Sequence, residues 1–365
     1  MTEKSPLKIL ITAPSLDEKQ NVSGISTVVR QIVERGSFQY RHFEAGRRDG
    51  EPADTAWLGK QIGSVARFRQ AARGRGDDQI DVAHINTNFN PLAIARDVVF
   101  ARAARRAKVP VLLHVHGGRF LAEEFQSLWL KRLGGKMLKS ADAVVVLSEL
   151  EREIVTRRWP DLKNVRVLEN AVAVEEVGER RENQGEKTLI FLGRLHESKG
   201  LNEIIEAVRV LKNENFRFRF RAFGAGELRD FFVAEMSKIL SDKFYYGGVI
   251  GGSEKWKELA LADVFLLPSR YGEGLPMAML EAMASGCTVV ASEMASVGAV
   301  VRGGENGFLV EPKNIAQLIE KLRMILAPEA DFSALRENAR RTIRERFDLR
   351  DYIMRLENIY REIAG

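Results

Sequence analysis

A chain of 365 residues has room for about two domains, and 45% hydrophobic with 29% charged residues is the composition of a folded, water-soluble protein. That excludes a long disordered or collagen-like chain, and a single cysteine, Cys287, excludes an intrachain disulfide. The formal charge of +6 sits entirely in the first half: residues 1–180 carry 29 Lys and Arg against 23 Asp and Glu, and residues 181–365 carry 27 against 27. A basic half meets an anionic partner, such as a membrane surface, a phosphorylated acceptor or nucleic acid, or it serves solubility alone. Met1 to Lys8 lacks the apolar centre of a signal peptide, and no stretch approaches the ~20 apolar residues of a membrane span, so the expected location is cytoplasmic.

In chain order, Leu7 to Thr12 reads as a buried strand, followed by a polar loop and a helix-periodic segment from Ile25 to Val33. Short apolar runs recur at Asp81 to Ile85, Val109 to Val115 and Ala143 to Leu147, with helical patterns at Leu92 to Ala107 and Leu121 to Leu138 between them. The series then restarts. A strand at Thr188 to Leu192 and a helix at Leu201 to Leu211 precede strands at Phe216 to Phe223, Val264 to Leu267 and Thr288 to Ala291. Continuous apolar strands separated by helices predict parallel sheets covered on both faces. The charged stretch 175–187 reads as a linker. Phe347-Asp348-Leu349 leads into a last amphipathic helix, Arg350 to Ile363. The expected fold is α/β: two doubly wound, Rossmann-like domains, 1–174 and 188–346, facing across a cleft, with ligands at the carboxyl ends of the strands.

Several chemistries lack their motifs. There is no G-x-x-x-x-G-K-[ST] loop, and Gly224-Ala225-Gly226 lacks the third glycine of a dinucleotide fingerprint, so a P-loop NTPase or an NAD enzyme is disfavoured. No D-x-D triplet is present to hold a divalent cation on a diphosphate. His114 and His116 lie two apart on a predicted strand, but zinc needs a third protein ligand and none is evident, so no metal is expected.

Two segments concentrate chemistry. In Phe191-Leu-Gly-Arg-Leu-His-Glu-Ser-Lys-Gly200 a strand ends at Gly193, and Arg194 and Lys199 follow beside a helix start. Two cations beside unpaired backbone N–H groups make an anion site able to neutralise a diphosphate, although a strand-end Arg and a solvated Lys would look the same in isolation. The second segment is Ser269-Arg-Tyr-Gly-Glu-Gly-Leu-Pro-Met-Ala-Met-Leu-Glu-Ala-Met-Ala-Ser-Gly286. It sets Glu273 in a glycine-bracketed loop and Glu281 inside a helix, where two carboxylates reach different parts of one extended ligand. Glu281 lies among Met279, Leu280, Ala282 and Met283, and a buried Glu needs a partner. Cys287, among small and apolar neighbours, reads as core.

On these motifs the chain resembles the retaining glycosyltransferases of family 4, the group 1 glycosyltransferases with the GT-B fold. The specific marks are G-R-L-x-x-x-K-G at 193–200 and the two glutamates at 273 and 281. Weaker ones are Gly24, His116 in V-H-G-G, Leu147-Ser148-Glu149, Asn170 and Gly247-Gly248-Val249. The terminal helix, 347–365, is similar to the segment that crosses back to the N-terminal domain in that family.

The resemblance implies transfer of a sugar from a nucleotide-sugar donor, UDP- or GDP-linked, to a glycan or lipid-linked acceptor. Arg194 and Lys199 would hold the donor diphosphate, and Glu281 the ribose hydroxyls. Glu273, with the backbone N–H groups of Gly274 and Leu275, would hold the donor sugar. Gly193 would lie against the donor, Val249 and Ile250 would border the base, and Gly24 would let the first loop approach the phosphates. His116 would contact the transferred sugar or the acceptor. No cofactor beyond the donor and no nucleic-acid partner is implied. The chain departs from the family at Ser23-Gly24, Asn170-Ala171 and Met294 to Gly298, where glycine pairs or an Asn-Gly pair are usual. A nucleotide-sugar epimerase or hydrolase of the same fold, a pyridoxal-phosphate-dependent phosphorylase and a silent scaffold are the other readings.

The first half also carries Phe120, Leu121, Phe125, Trp129, Leu133 and Met137, read here as a core stripe. Arg67, Arg69, Arg73 and Arg75, and Arg102, Arg105, Arg106 and Lys108, form clusters suited to peripheral contact with anionic lipid on the inner face of a membrane.

Overall fold

The structure, a computed structural model, describes residues 6–18, 21, 23–46, 55–74, 76–118, 127–178, 185–294 and 296–365, with the side chains of 55–58, 60 and 62 left aside. The chain divides into two compact units, Met1–Asn170 with Arg350–Gly365, and Ala171–Leu349.

The first unit alternates β1 (Lys8–Ala13), α1 (Gly24–Arg35), β2 (Gln39–Glu44), α2 (Thr55–Ala72), β3 (Val82–Thr87), α3 (Pro91–Arg106), β4 (Val111–Val115), α4 (Leu128–Lys139), β5 (Ala143–Val146), α5 (Glu149–Arg158) and β6 (Val165–Val167). Its six strands are parallel, in the order β2-β1-β3-β4-β5-β6. Strands β3, β4 and β5 are buried throughout, as strands covered by helices on both faces must be. The edge strands β2 and β6 are partly exposed, so no apolar run in the sequence announces them.

The second unit repeats the plan with β7 (Lys187–Leu192), α6 (Leu201–Asn213), β8 (Phe218–Phe223), α7 (Arg229–Leu240), β9 (Phe244–Tyr246), α8 (Gly252–Leu261), β10 (Val264–Leu267), α9 (Met277–Ala284), β11 (Thr288–Ser292), β12 (Phe308–Val310), α10 (Ile315–Leu326) and α11 (Ser333–Arg346). The strand order is β12-β11-β10-β7-β8-β9, all parallel. The chain runs outward from β7 to β8 and β9, then returns to the other side of β7 for β10. That reversal is a topological switch point, where loops leaving adjacent strands diverge and open a crevice.

The last helix, α12 (Leu349–Ala364), packs on the first unit. Tyr360 Oη lies 2.6 Å from His84 Nδ1, and Glu357 accepts from the Ser37 N–H at 2.6 Å and from its hydroxyl at 2.7 Å. The two ends of the second unit are tied by Val172, whose N–H donates to Phe347 O (2.8 Å) and whose carbonyl accepts from the Leu349 N–H (3.0 Å). The division falls after Asn170. Val174–Glu176, which overlap the start of the expected linker at 175, form a short 3-10 turn of the second unit.

The apolar stripe differs from the expectation. Met137 is buried and Leu133 packs on the core, but Trp129 is 67% exposed, and its neighbour Leu128, outside the expected stripe, is 74% exposed. Ser127 caps the helix that starts at Leu128, and the helix turns Leu130, Met137 and Leu138 inward, leaving Leu128 and Trp129 on the outer face. Phe120, Leu121, Phe125 and Arg75 lie outside the described residues. Among the described residues no helix is long and apolar enough to cross a membrane. Cys287 is fully buried, its thiol donating to Leu259 O at 3.3 Å.

Candidate active site

The loops after β7, β8 and β10 are joined backbone to backbone. Gly193 N–H donates to Phe223 O (3.1 Å) and Leu195 N–H to Ala225 O (2.8 Å), which extends the β7–β8 pairing into the loops. Gly224, at φ +131°, comes so close to Gly193 that a Cβ there would lie 1.9 Å from the Gly193 carbonyl oxygen. Beyond it, Arg194 projects to the exposed surface. His196 Nδ1 accepts from the Ser198 N–H (3.1 Å) and caps the short turn Glu197–Lys199, so Lys199 stands one residue before Gly200, the cap of α6. Gly200, at φ +72°, lies against the β10 loop, and a Cβ would come within 1.9 Å of the Pro268 oxygen. The Arg270 N–H donates to Ser198 O at 2.7 Å, and its guanidinium Nε donates to Glu203 at 2.7 Å.

These contacts carry the two motifs of the sequence into one place. Lys199 Nζ forms an ion pair with Glu273, whose Oε1 also accepts from the Ser269 hydroxyl at 2.6 Å. A cation from the β7 loop and a carboxylate from the β10 loop thus meet at the switch point, 74 residues apart in sequence. Gly274 and Leu275 are buried behind them at the approach to α9, with Pro276 before its first residue.

Glu281 sits inside α9 and is 2% exposed. The partner it needs is Lys255 of α8, with Nζ 2.6 Å from Oε1 and side-chain exposures of 12% and 3%. Nothing in the spacing names Lys255, although the burial of Glu281 predicts that some cation or donor must exist. Val249, at the surface, and Ile250, buried, lead directly into α8. The second unit therefore gathers Gly193, Arg194, Lys199, Glu273, Gly274 and Leu275 on the joined loops, with Val249 and Ile250 at the entry to α8, whose Lys255 pairs with Glu281.

Gly24 and His116 belong to the first unit. Gly24 opens α1, and Ser23 takes the cap, its Oγ accepting from the Ser26 N–H at 3.2 Å. Ser23 thus serves as a helix start signal, where a glycine would offer no side chain to the first N–H groups. His116 follows β4, with Nε2 2.6 Å from Asn86 Oδ1. The Asn86 amide nitrogen donates to Thr12 O at 2.9 Å, which turns its carbonyl toward the ring. A carbonyl only accepts, so Nε2 carries the hydrogen and Nδ1 is the acceptor. Behind it the rings of His116 and His114 lie 4.0 Å apart, and those of His114 and His84 5.5 Å apart. Burial holds all three neutral: it takes His84 and His114 well below the usual imidazole value and His116 down to about 3. Among the described residues no three His, Cys, Asp or Glu side chains form a metal-holding group.

Comparison with known proteins agrees with this geometry. The profile of the family described as Glycosyl transferases group 1 matches residues 175–342, and that of the Glycosyl transferase 4-like domain matches residues 15–171. An uncharacterized glycosyltransferase of Methanocaldococcus jannaschii is 24% identical over 281 residues, 73% of this chain and 72% of that protein. The amylovoran biosynthesis glycosyltransferase AmsK of Erwinia amylovora is 31% identical over 183 residues, 48% of this chain and 45% of that relative, so the match spans under half of its length. The crystal structure of Anabaena HepE in complex with UDP-glucose has a similar fold, with a TM-score of 0.77 at 18% identity over 98% of this chain and 100% of that one. The two profiles adjoin along nearly the whole chain and each falls on one α/β unit: this protein belongs to the group 1 glycosyltransferases, of the GT-B fold built from two Rossmann-like domains.

Proposed function

We propose that the enzyme moves a sugar from a nucleotide-sugar donor to a glycan or lipid-linked acceptor, with retention at the anomeric carbon. The observation that carries this reading is the meeting of Lys199 and Glu273 at the switch point of the second unit. Arg194 and Lys199 stabilise the diphosphate as its bond to the sugar breaks, and two fixed cations make the reaction independent of metal. Glu273, with the N–H groups of Gly274 and Leu275, holds the sugar. Glu281 takes the ribose, and Val249 and Ile250 border the base. In the first unit Gly24 meets the phosphates. His116, neutral, meets the sugar or acceptor through hydrogen bonds rather than as an acid. No side chain in these motifs is assigned the part of a covalent nucleophile. The step is a front-side displacement: the acceptor oxygen bonds to the anomeric carbon, the bond to phosphate breaks, and the departing phosphate oxygen takes the acceptor proton. UDP-glucose in the HepE complex and amylovoran biosynthesis in the name of AmsK support this substrate class.

A thermal-shift screen of UDP- and GDP-sugars tests the donor. A true donor at a hundred times its Kd adds about 2.7 kcal/mol and raises the melting temperature by several degrees. Indifference to every sugar nucleotide refutes the reading, and sugar release without an acceptor favours the epimerase or hydrolase instead.

We also propose that the first unit docks on an anionic lipid surface, where a lipid-linked acceptor would wait. Leu128, Arg132 and Lys136 recur at helical spacing along the exposed side of α4, with Trp129 beside Leu128. Indole and leucine seat at the headgroup boundary, while the cations meet lipid phosphate. Flotation with anionic liposomes is expected at low salt and not with zwitterionic ones, and Trp129→Ala is expected to weaken it several-fold. Equal flotation with both lipids, or none at all, removes this assignment.

A further inference from the structure

The ion pair between Lys255 and Glu281 has more to do than satisfy a buried charge. Met279, Leu280, Ala282 and Met283 around Glu281 are all buried, so a carboxylate there keeps its charge only with a partner. Lys255 occupies Oε1, and Oε2 makes no hydrogen bond among the described residues. The ammonium also lies 5.3 Å from the Trp256 ring, which fixes it from a second side. Its helix, α8, begins at Gly252, two residues after Ile250.

We infer that Lys255 is a positioning residue for the nucleotide: by holding Oε1 it keeps the Glu281 carboxylate turned so that Oε2 accepts hydrogen bonds from the ribose hydroxyls. Through α8 it also couples that carboxylate to the segment beside the base. A lysine suits this task because its ammonium acts as a point charge on one oxygen, whereas a guanidinium fork would take both. An ionised carboxylate is acceptor-only, so it reads hydroxyls as donors and discriminates against a sugar that lacks one. The inference rests on the donor reading above.

Calorimetric titration tests it with UDP and 2′-deoxy-UDP, and with GDP and 2′-deoxy-GDP as the second pair. The wild type is expected to prefer the ribose form by about tenfold, the scale of one hydrogen bond to a charged group. Lys255→Met is expected to bring that ratio close to one and to raise the donor KM while kcat changes little. Lys255→Gln, which keeps a donor without the charge, is the second variant and is expected to fall between the two should the Met variant fold poorly. Glu281→Gln is expected to collapse the ratio equally, and the double variant to lose no more than either single one. A wild-type ratio in folded Lys255→Met or Lys255→Gln, alongside a collapsed ratio in Glu281→Gln, overturns the inference and leaves the donor reading standing. An unchanged ratio in Glu281→Gln, or no nucleotide binding by the wild type, overturns the donor reading itself.

Discussion

Arg194→Ala and Lys199→Ala are each expected to lower turnover at least tenfold, and up to about a hundredfold, in a protein that stays folded. Removing one preorganised group that faces developing charge commonly costs roughly 3 kcal/mol of barrier. The diphosphate gains charge only as its bond to the sugar breaks, so the loss belongs in kcat more than in KM. Stability should change little at either position. Arg194 is exposed, and Glu273 keeps its hydrogen bond from Ser269 when Lys199 is shortened. Lys199→Ala also leaves Glu273 without its cation, so a second, smaller effect on sugar binding is expected there. Steady-state kinetics with the donor found by thermal shift, beside melting curves of each variant, make the measurement. Wild-type turnover in both variants would end the assignment of these residues.

The first unit is expected to lose stability steeply in mild acid. His84 and His114 are fully buried, and their pKa values are depressed chiefly by desolvation, then by the neighbouring imidazoles. Folded, they stay neutral; unfolded, they bind protons near pH 6.5. The unfolded chain therefore holds more protons below that value, and stability is full above it and falls as the pH drops. Below pH 6.5 each ring contributes about 1.4 kcal/mol per pH unit, and above it almost nothing, so the pair costs about 3 kcal/mol between pH 7.5 and 5.5. His116 adds to this in the same direction. Among the described residues the side chains hydrogen-bonded to these rings are Asn86 and Tyr360, and neither is a carboxylate. Urea unfolding at the two pH values should show the drop, and His114→Leu should remove close to half of the part due to the pair. Stability that is level across this range would mean that the rings are not held neutral.

Much of the molecule was legible from short-range pattern. The buried runs at 188–192 and 264–267 became β7 and β10, because a strand covered on both faces must be apolar at every position. The edge strands β2 and β9 were not legible, since Gln-Tyr-Arg-His-Phe-Glu and Phe-Tyr-Tyr are only half covered and carry no such run. The neighbours of Glu281 predict its burial and its need for a partner, but they do not name Lys255. It sits 26 residues earlier in a polar helix start, beside other charges that look the same in sequence. Trp129 failed in the opposite way: an apolar residue at helical spacing reads as core, yet where a helix begins decides which side its first turn faces.

By itself, then, the sequence determined the parallel α/β plan, the loops that hold Arg194, Lys199 and Glu273, and the charge divided between its halves. Covalent spacing and apolar content act within a few residues of one another, and these features depend on nothing farther away. Tertiary structure decided which charges meet: Lys199 with Glu273, Lys255 with Glu281, and Tyr360 with His84. Those pairs are set by strand order and by backbone contacts such as Gly200 against Pro268. Strand order arises only when the whole sheet assembles, so no local stretch of sequence contains it.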